Sequence, residues 1–391
     1  MRTEAYGKLI YLDNAATTKV LTQIQEYING IAKDFYGNPS SHHFSGHTAH
    51  KVLDDSRHNI ADYIGCEDNE IIFTASGSEA NNMALKGFYF DNLDSPVTII
   101  TTAIEHKSVL NTCGFLERIG CNIKYVDVNM FGMVKSEQLE KLCKECYDNE
   151  ESFLVSIQFA NNEIGTVQPI KHLSDIVHKY GGIFHTDAVQ AFSEYRINVK
   201  EYGIDMMSVS GHKFGCPKGI GFLYKNSKVD IEPLIHGGGQ EFGLRAGTEN
   251  LPYIAGISKA IDLLKTRTKE YNKELEGKRD HLKYKLLNIK GSQMNGSASY
   301  RLCNNINISF KGIQSDALLA ILDGKGICVS SGSACNSGDS EPSYVLKAIG
   351  VNKEYIDGAI RITIDNDISY AELDIVATEI ENAVNALRMF N

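Results

Sequence analysis

The sequence predicts an α/β fold in which a large domain with a mostly parallel sheet is joined to a smaller α+β domain. Three observations support this prediction. The length of 391 residues exceeds what one small core needs. Short β-rich runs alternate with helical patterns over residues 70–225, and a second series of strands and helices follows residue 300. We place the large domain at residues 15–263 and the small domain at residues 264–391 together with residues 1–14.

The large domain opens with a helical pattern over residues 46–65 that ends on Gly65, as helices often do. Seven short runs with strand composition follow, separated by helical patterns. They are "EIIFTAS", "VTIITT", "NIKYVDV", "FLVSIQFA", "GIFHTDAV", "MMSVSG" and "GIGFLYK". In a parallel sheet covered by helices, functional groups gather at the carboxyl ends of the strands. We therefore expect a site at these strand ends.

A charged helical pattern from Ile254 to Ile289 predicts one long helix that connects the domains. The small domain follows as a strand, a helix, a Ser- and Gly-rich loop, a second strand and a terminal helix. The segments are "NNINISF", "SDALLAILDG", "VSSGSACNSGDSEPSYV", "AIRITI" and "AELDIVATEIENAVNALRMF". This order indicates a compact α+β unit.

The composition argues against several classes of function. Hydrophobic residues make up 42% and charged residues 23%, as in soluble globular proteins, and the formal net charge of -10 argues against binding to nucleic acid. The N-terminus has no targeting pattern, and no run reaches the ~18 apolar residues of a membrane span. We expect a cytoplasmic protein that has no membrane or nucleic acid partner.

Nine cysteines occur without a regular spacing, which fits reduced thiols better than a disulfide framework. Cys143 and Cys146 form a C-x-x-C motif, but the motif lies in a charged amphipathic helical pattern without a second cysteine pair. We interpret this pair as lying on the surface of a helix, and we predict no metal site.

Lys213 directly follows the strand pattern "DMMSVSG", within "SVSGHKFGCPKGIG". A lysine at the mouth of a buried strand loses part of its hydration, which favours the neutral amine that forms a Schiff base. Gly211 permits close approach of the backbone, and Ser210 and His212 offer polar contacts to an anion. The alternative is a surface lysine in a Gly-rich turn.

A second strand end, in "FTASGSEANNMALKG", passes through a turn of small residues into a helix. The backbone N–H groups of Gly77 and Ser78 are therefore expected at a helix N-terminus, where a phosphate binds well. The spacing is not that of a P-loop, because no Gly-Lys-Ser/Thr follows, and this disfavours nucleotide hydrolysis.

Three further strand ends carry side chains that suit an aromatic cofactor. Asp187 and Gln190 in "HTDAVQ" could bind a protonated ring nitrogen and a ring substituent, although Asp is also favoured as a helix cap. His106 could stack on a planar ring and Asn162 could donate a hydrogen bond, although each is a weak indication by itself. Together with the lysine and the phosphate cradle, these groups match what pyridoxal phosphate requires.

Nine segments, spread in order over almost the whole chain, share the pattern of one known family. They are "YLDNAATT", "YGNPSSHH", "EIIFTASGSEANN", "TTAIEHKSV", "NNEIGTVQPI", "HTDAVQ", "SGHKFGCPKGIG", "HGGGQEFGLRAGT" and "SSGSACNSGDSEPSYVLKAIG". Together they resemble the cysteine desulfurases of the class V aminotransferase family. The resemblance implies the fold type I architecture of pyridoxal-phosphate-dependent transferases and a homodimer. It also implies conversion of L-cysteine to L-alanine, with the sulfur left on an enzyme cysteine as a persulfide.

The resemblance also implies roles for individual residues. Lys213 matches the Schiff-base lysine, His106 the ring-stacking histidine and Asp187 the partner of the pyridine nitrogen. Arg361 matches the residue that holds the substrate carboxylate, with Asn162 beside it. The other implied cofactor contacts are two amides, four phosphate-site residues and one residue of the other subunit: Asn162, Gln190, Gly77, Ser78, Ser210, His212 and Thr248.

Cys335 in "SSGSAC" matches the sulfur-accepting cysteine of this family. The thiolate is the nucleophile, and a thiol with a pKa of about 8.5 is mostly protonated at neutral pH, so His106 is a candidate for proton transfer. The Gly-containing loop gives a tether on which the thiol could reach both the substrate and an acceptor protein. An iron-sulfur scaffold or a tRNA thiolation enzyme would suit as acceptor. Cys328, in an apolar run, is expected in the core.

Two features depart from the family pattern. Cys216 stands where the family usually has Gly, and the sequence ends at Asn391 without the tail by which sulfur-donating members often dock a scaffold. The identity of the acceptor and the selectivity for cysteine over selenocysteine therefore stay open. The alternatives are a selenocysteine lyase or a related small-substrate pyridoxal phosphate enzyme and, from another class, a non-catalytic sulfur carrier.

Overall fold

The computed structural model describes residues 9–267, 269–331 and 342–389. The helices in these ranges are α1 Thr22–Asp34, α2 Phe44–Ile64, α3 Gly77–Asp91, α4 Lys107–Arg118, α5 Ser136–Asp148, α6 Ile170–Lys179, α7 Val199–Tyr202, α8 Leu251–Lys265, α9 Lys269–Leu287, α10 Ser315–Gly324, α11 Tyr344–Ala348, α12 Lys353–Ile356 and α13 Tyr370–Met389. The strands are β1 Ile10–Tyr11, β2 Ile71–Thr74, β3 Val97–Thr102, β4 Asn122–Val126, β5 Ser152–Ser156, β6 Ile183–Asp187, β7 Met206–Ser210, β8 Gly221–Lys225, β9 Ser292–Met294, β10 Asn305–Phe310, β11 Ile327–Cys328 and β12 Ala359–Thr363. Short 3₁₀ helices lie at Asp68–Glu70, Gly211–Lys213 and Glu241–Gly243.

Seven strands form one central sheet in the order β2-β8-β7-β6-β5-β3-β4. Neighbouring strands are parallel except β8, which runs antiparallel to both β2 and β7. The seven predicted strands and the mostly parallel sheet are therefore confirmed. Because β8 reverses between them, β2 and β7 point the same way, and their last residues, Thr74 and Ser210, both pair with Gly221.

Helices cover both faces of this sheet. Ile24 of α1, Ile60 of α2 and Ile257 of α8 belong to the buried core on one face. Met83 of α3 and Leu116 of α4 belong to a second core with other strand residues. Strands buried on both faces are rich in apolar residues, which is why they form nearly continuous apolar runs in the sequence.

A smaller core surrounds the antiparallel sheet β12-β10-β9 and helices α9, α10 and α13. Leu12 joins this core, and the adjoining β1 pairs with β11 in parallel. The strands and helices predicted after residue 300 are present, whereas the domain boundary at residues 263 and 264 stays a prediction. Among the described residues, no helix has both the length and the apolar character needed to cross a membrane.

The prediction of one long helix over residues 254–289 is wrong. This region forms two helices, α8 and α9, which contribute to different cores. Ile257 and Ile261 of α8 are buried with the central sheet, whereas Leu282 and Leu286 of α9 are buried in the smaller core. The charged helical pattern does not reveal this change of partner.

Candidate active site

Ten of the predicted site residues line one cavity of about 310 Å³. They are Gly77, Ser78, His106, Asn162, Asp187, Gln190, Ser210, His212, Lys213 and Arg361. Most of them lie at or just after the carboxyl ends of β2, β3, β5, β6 and β7. These strands point the same way, so the sheet brings their ends to one edge.

Lys213 ends the short 3₁₀ helix that follows β7. Its Nζ donates hydrogen bonds to the backbone oxygens of Ala15 and Ala16 at 2.6 and 2.9 Å. Gln190 Nε2 also donates to the Ala15 oxygen, at 3.0 Å. The chain at Ala15 and Ala16 thus holds the amine and the amide beside each other.

The cavity wall at Gly77 has the features of an anion site. Gly77 and Ser78 begin α3, and the first N–H groups of a helix have no acceptor within the helix. Ser76 caps α3 by accepting a hydrogen bond from the Glu79 N–H at 3.1 Å. A Cβ at position 77 would lie 2.7 Å from Cγ2 of Val189, so the close packing here requires glycine.

His212 contributes to the same cavity as a neutral imidazole. Burial, together with the charges of Lys213 and Lys218, lowers the pKa of His212 to about 4. Its Nδ1 lies 3.1 Å from Thr17 Oγ1. When this hydroxyl donates to Nδ1, the imidazole proton is on Nε2, from which it can be donated to an anion.

Hydrogen bonds connect Asp187 to His106 through two side chains that were not predicted. Asp187 Oδ1 accepts from the Val189 N–H at 3.0 Å, and Oδ2 accepts from Asn81 Nδ2 at 2.7 Å. The same Asn81 nitrogen donates to Ser108 Oγ at 2.8 Å. Ser108 Oγ lies 2.7 Å from His106 Nδ1. The end of β6 and the loop after β3 are therefore tied together.

Arg361 of β12 comes to the cavity from the smaller core. One guanidinium nitrogen, NH2, bonds to Asp13 Oδ1 at 2.7 Å, and the other, NH1, donates to the Asn162 backbone oxygen at 3.0 Å. Arg361 Nε and Asn162 Oδ1 are buried and have no hydrogen-bond partner among the described residues. A donor and an acceptor are thus left for a ligand.

The pattern of the aminotransferase class-V family matches residues 10–376. The chain belongs to the class V aminotransferase family. It is 43% identical to the cysteine desulfurase IscS of Methanosarcina thermophila, over 98% of this chain and 93% of that protein. A solved NifS-like protein has a TM-score of 0.90 at 37% identity and covers 97% of this chain and 100% of its own. SspA in complex with cysteine has a TM-score of 0.80 at 36% identity, covering 91% of this chain and 98% of its own.

These matches place the chain with the cysteine desulfurases of the class V family. Members of this family depend on pyridoxal phosphate. The fold agrees with this assignment, since the mostly parallel central sheet is that of the fold type I architecture. The family resemblance and the fold class predicted from the sequence are therefore confirmed.

One residue that the class V resemblance implicated is not among the described residues that line this cavity. Thr248 lines a separate cavity of about 190 Å³ together with Arg245. Arg245 Nε bonds to Glu79 Oε1 at 2.9 Å, so the second cavity adjoins the first turn of α3. Cys335 lies outside the described residues.

Sequence reasoning missed several residues that contact the predicted ones. Four of them are Ala15, Ala16, Asn81 and Ser108. All four lie in the segments "YLDNAATT", "EIIFTASGSEANN" and "TTAIEHKSV", which carry the class V resemblance. The resemblance therefore contained the signal, although the residue types alone did not.

The cysteines of the described residues are all free thiols. Cys143 and Cys146 lie on α5, but the prediction that they are on its surface is wrong, because both are buried in the core. Burial raises the pKa of Cys143 to about 12 and that of Cys146 to about 11. Cys216 is also buried and donates from Sγ to the Gly256 oxygen at 3.4 Å.

No group of three or more His, Cys, Asp and Glu side chains within the described ranges could hold a metal ion.

Proposed function

We propose that the protein is a pyridoxal-phosphate-dependent cysteine desulfurase that converts L-cysteine to L-alanine and takes up the sulfur on Cys335 as a persulfide. The observation that carries this proposal is the convergence of an amine, a carboxylate, an imidazole, an amide and a guanidinium on one cavity of about 310 Å³. The high similarity to curated cysteine desulfurases over nearly the full chain supports the same activity.

The residues of the cavity fit pyridoxal phosphate. The first N–H groups of α3 and the neutral His212 are donors suited to a phosphate, and Gly77 keeps the backbone close. Asn162 Oδ1 is a buried acceptor without a partner among the described residues, which indicates that a ligand is to supply a donor. Asp187 provides the carboxylate that a protonated ring nitrogen requires.

Bound pyridoxal phosphate supplies an electron sink for the charge that develops when a bond at the substrate α-carbon breaks. Lys213 would hold the cofactor through its Nζ, and the same amine would accept the α-proton of the substrate. Asp187 would pair with the ring nitrogen of the bound cofactor, and His106 would stack on its ring. Gln190 and Asn162 contribute amide contacts.

The substrate is held from the side of Arg361. Its guanidinium binds the carboxylate of L-cysteine, while Asp13 and the Asn162 backbone keep the group in place. The Cys335 thiolate then forms an S–S bond to the substrate sulfur as the C–S bond breaks. The electron pair of that C–S bond stays with the carbon, which takes up a proton to become the methyl group of L-alanine. His106 is the candidate for proton transfer to or from these sulfur atoms.

We also propose a cytoplasmic homodimer in which Thr248 completes the phosphate site of the other subunit. Thr248 is not among the described residues that line the cavity of about 310 Å³ in its own chain, so a second copy of the chain would have to bring this residue to the phosphate site. Tyr36 and Phe44 are 80% and 81% exposed in the single chain, and such aromatic exposure is typical of an interface. The persulfide would pass to an acceptor protein of iron-sulfur cluster assembly or tRNA thiolation.

Two variants, Lys213→Ala and Cys335→Ser, test the two halves of this proposal. Lys213→Ala removes the only side chain proposed to bond covalently to the cofactor, so both the visible absorbance of lysine-bound pyridoxal phosphate and the release of alanine are expected to disappear. Cys335→Ser replaces the sulfur nucleophile with an unionised hydroxyl. This variant is expected to keep the absorbance and its change on addition of L-cysteine, but to lose alanine release and persulfide labelling.

Cys143→Ser serves as the control, because that thiol is buried away from the proposed site and should not affect persulfide labelling. Alanine formation at the parental rate by Cys335→Ser would remove Cys335 from the reaction and favour a lyase without a covalent sulfur intermediate. A parent protein that binds no pyridoxal phosphate would refute the enzyme assignment and leave the sulfur-carrier alternative.

A further inference from the structure

One amide nitrogen connects Asp187, proposed to contact the cofactor ring nitrogen, with His106, proposed to stack on the ring. The second connection runs through Ser108. Asn81 is 1% exposed, and its Nδ2 donates to Asp187 Oδ2 at 2.7 Å and to Ser108 Oγ at 2.8 Å. An amide nitrogen carries two hydrogens, so both bonds form at once. The carboxylate of Asp187 determines the orientation of the amide, because the reversed amide would place two acceptor oxygens against each other.

The same bonds determine which nitrogen of His106 is protonated. The Ser108 N–H donates to His106 Nδ1 at 3.1 Å, and a backbone N–H can only donate. Because Nδ1 is thereby an acceptor, Ser108 Oγ, 2.7 Å away, donates its own hydrogen to Nδ1 while it accepts from Asn81. Two donors therefore face Nδ1, which keeps its lone pair. The neutral imidazole accordingly carries its proton on Nε2.

A second buried asparagine shows what a purely structural amide looks like in this chain. Asn295 is 2% exposed, and its Nδ2 donates to Asn307 Oδ1 and Ser309 Oγ, both at 2.8 Å. These partners belong to β10 in the smaller core. The two partners of Asn81 instead line the candidate active site, as Asn81 itself does.

The other end of the Asn81 amide strengthens this contrast. Its Oδ1 is buried and has no hydrogen-bond partner among the described residues. A buried acceptor without a partner lowers stability, and such groups in native proteins are associated with functional sites.

We propose that Asn81 is a positioning residue that orients Asp187 toward the cofactor ring nitrogen and, through Ser108, keeps His106 in its Nε2–H tautomer. This inference rests on the proposed function, since it assigns Asp187 to the ring nitrogen and His106 to the ring face of one bound cofactor. It makes Nε2 the only nitrogen from which neutral His106 can deliver a proton. One amide thereby sets the geometry of two groups that lie on different strand ends.

The test compares Asn81→Asp with Asn295→Asp. In Asn81→Asp both donors are lost at nearly constant size, and a second carboxyl group is placed near Asp187. The apo-protein is titrated with pyridoxal phosphate, and the dissociation constant is expected to rise about tenfold or more in Asn81→Asp, because a hydrogen bond to a charged group is lost. Asn295→Asp is expected to change the stability but not this dissociation constant.

Nitrogen-15 spectra of the imidazole rings give a readout that does not depend on activity. The His106 signals are assigned by comparison with His106→Gln and are measured on the apo-protein. The parent is expected to show an unprotonated Nδ1 and a protonated Nε2. In Asn81→Asp the Ser108 hydroxyl turns to the new carboxyl group, so that Nδ1 keeps only the longer of its two bonds, that from the Ser108 N–H at 3.1 Å. The Nδ1–H tautomer is therefore expected to gain population.

Ser108→Thr and Ser108→Ala keep the proposal falsifiable if Asn81→Asp does not fold. The threonine variant retains the hydroxyl and should retain the Nε2–H signals, whereas the alanine variant should lose part of them. Parental signals in Ser108→Ala, or parental signals and cofactor affinity in Asn81→Asp, would overturn the positioning role. A parent that binds no pyridoxal phosphate would refute the proposed function instead, and the apo-protein spectra would still report the tautomer.

Discussion

The two sides of the candidate active site are built in different ways. On the cofactor side, the groups follow parallel strands of the central sheet. They are held both by neighbours in the chain, as when Asp187 accepts from the Val189 N–H, and by distant residues, as when Lys213 donates to the oxygen of Ala15, 198 residues away. On the substrate side, Arg361 bonds to Asp13, 348 residues away in the chain, and to the Asn162 oxygen, 199 residues away. The first side belongs to the central sheet, whereas the second requires the smaller core to be packed against it.

This difference implies that the two sides can be damaged separately. A change at Arg361 should weaken substrate binding without loss of cofactor, because no described hydrogen bond of that side chain involves the phosphate cradle. A change in the cradle should weaken cofactor retention first, and turnover only as a consequence. The following predictions test this separation, beginning with the largest expected effect.

Arg361→Gln is expected to lower kcat/KM for L-cysteine by about a hundredfold, because the substrate carboxylate and Asp13 both lose their charged partner in a buried place. The dissociation constant of pyridoxal phosphate should stay within about twofold of the parental value. Alanine release at varied L-cysteine and titration of the apo-protein measure the two quantities. Arg388→Gln serves as the control, since this half-buried arginine bonds to backbone oxygens of Lys290 and Lys311 and does not line the candidate active site.

A loss of pyridoxal phosphate affinity in Arg361→Gln as large as the loss of kcat/KM would contradict the separation of the two sides. It would mean that Arg361 supports the whole cavity, through the Asn162 backbone, rather than the substrate alone. Unchanged kcat/KM would remove Arg361 from substrate binding altogether.

Gly77→Ala is expected to raise the dissociation constant of pyridoxal phosphate by about tenfold, because the new Cβ would lie 2.7 Å from Val189 Cγ2 and would push the first turn of α3 away from the sheet. Titration of the apo-protein measures this change. The double variant with Val189→Ala should recover most of the affinity, because it removes the methyl group in the way.

Gly114→Ala provides the matched helical control for the change at Gly77. Gly114 lies on α4, and a Cβ there would meet no atom within 4 Å. This control should leave the affinity for pyridoxal phosphate unchanged. Failure of Val189→Ala to restore affinity to Gly77→Ala would show that the loss of affinity does not arise from contact of the new Cβ with Val189.

The contrast between the two sides also explains which parts of the site could be predicted from the sequence. Lys213 and Asp187 could be placed because a strand pattern that ends in a polar residue predicts both the strand and the edge where it ends. Arg361 lies inside the strand pattern "AIRITI", where nothing in the residue type indicates a ligand. Only the family resemblance gave its role, since its partners are fixed by packing of the smaller core.

Asn81 illustrates the same limit within the large domain. It lies in the second turn of α3, where an amide is an ordinary residue, and its partners are 27 and 106 residues away. The order of the strands in the central sheet brings these residues together. Hydrophobic patterns predict the strands but not their order in the sheet. The break between α8 and α9 was missed for a related reason, because periodicity shows that a helix has an apolar face but not which core receives it.

Asp13→Asn gives the smallest expected effect and the finest test of the substrate side. The asparagine keeps an oxygen that can accept from the Arg361 NH2 group, so only the charge of the partner is lost. We expect KM for L-cysteine to rise about fivefold, in line with the roughly 1 kcal/mol by which a charged hydrogen bond exceeds a neutral one, with kcat and cofactor affinity nearly unchanged. Asp127→Asn, at an exposed ion pair with Lys135, is the control and should change neither constant. A fall in kcat with constant KM would instead indicate that Asp13 acts on the neighbouring chain at Ala15 and Ala16, whose oxygens accept from Lys213, and so belongs to the cofactor side.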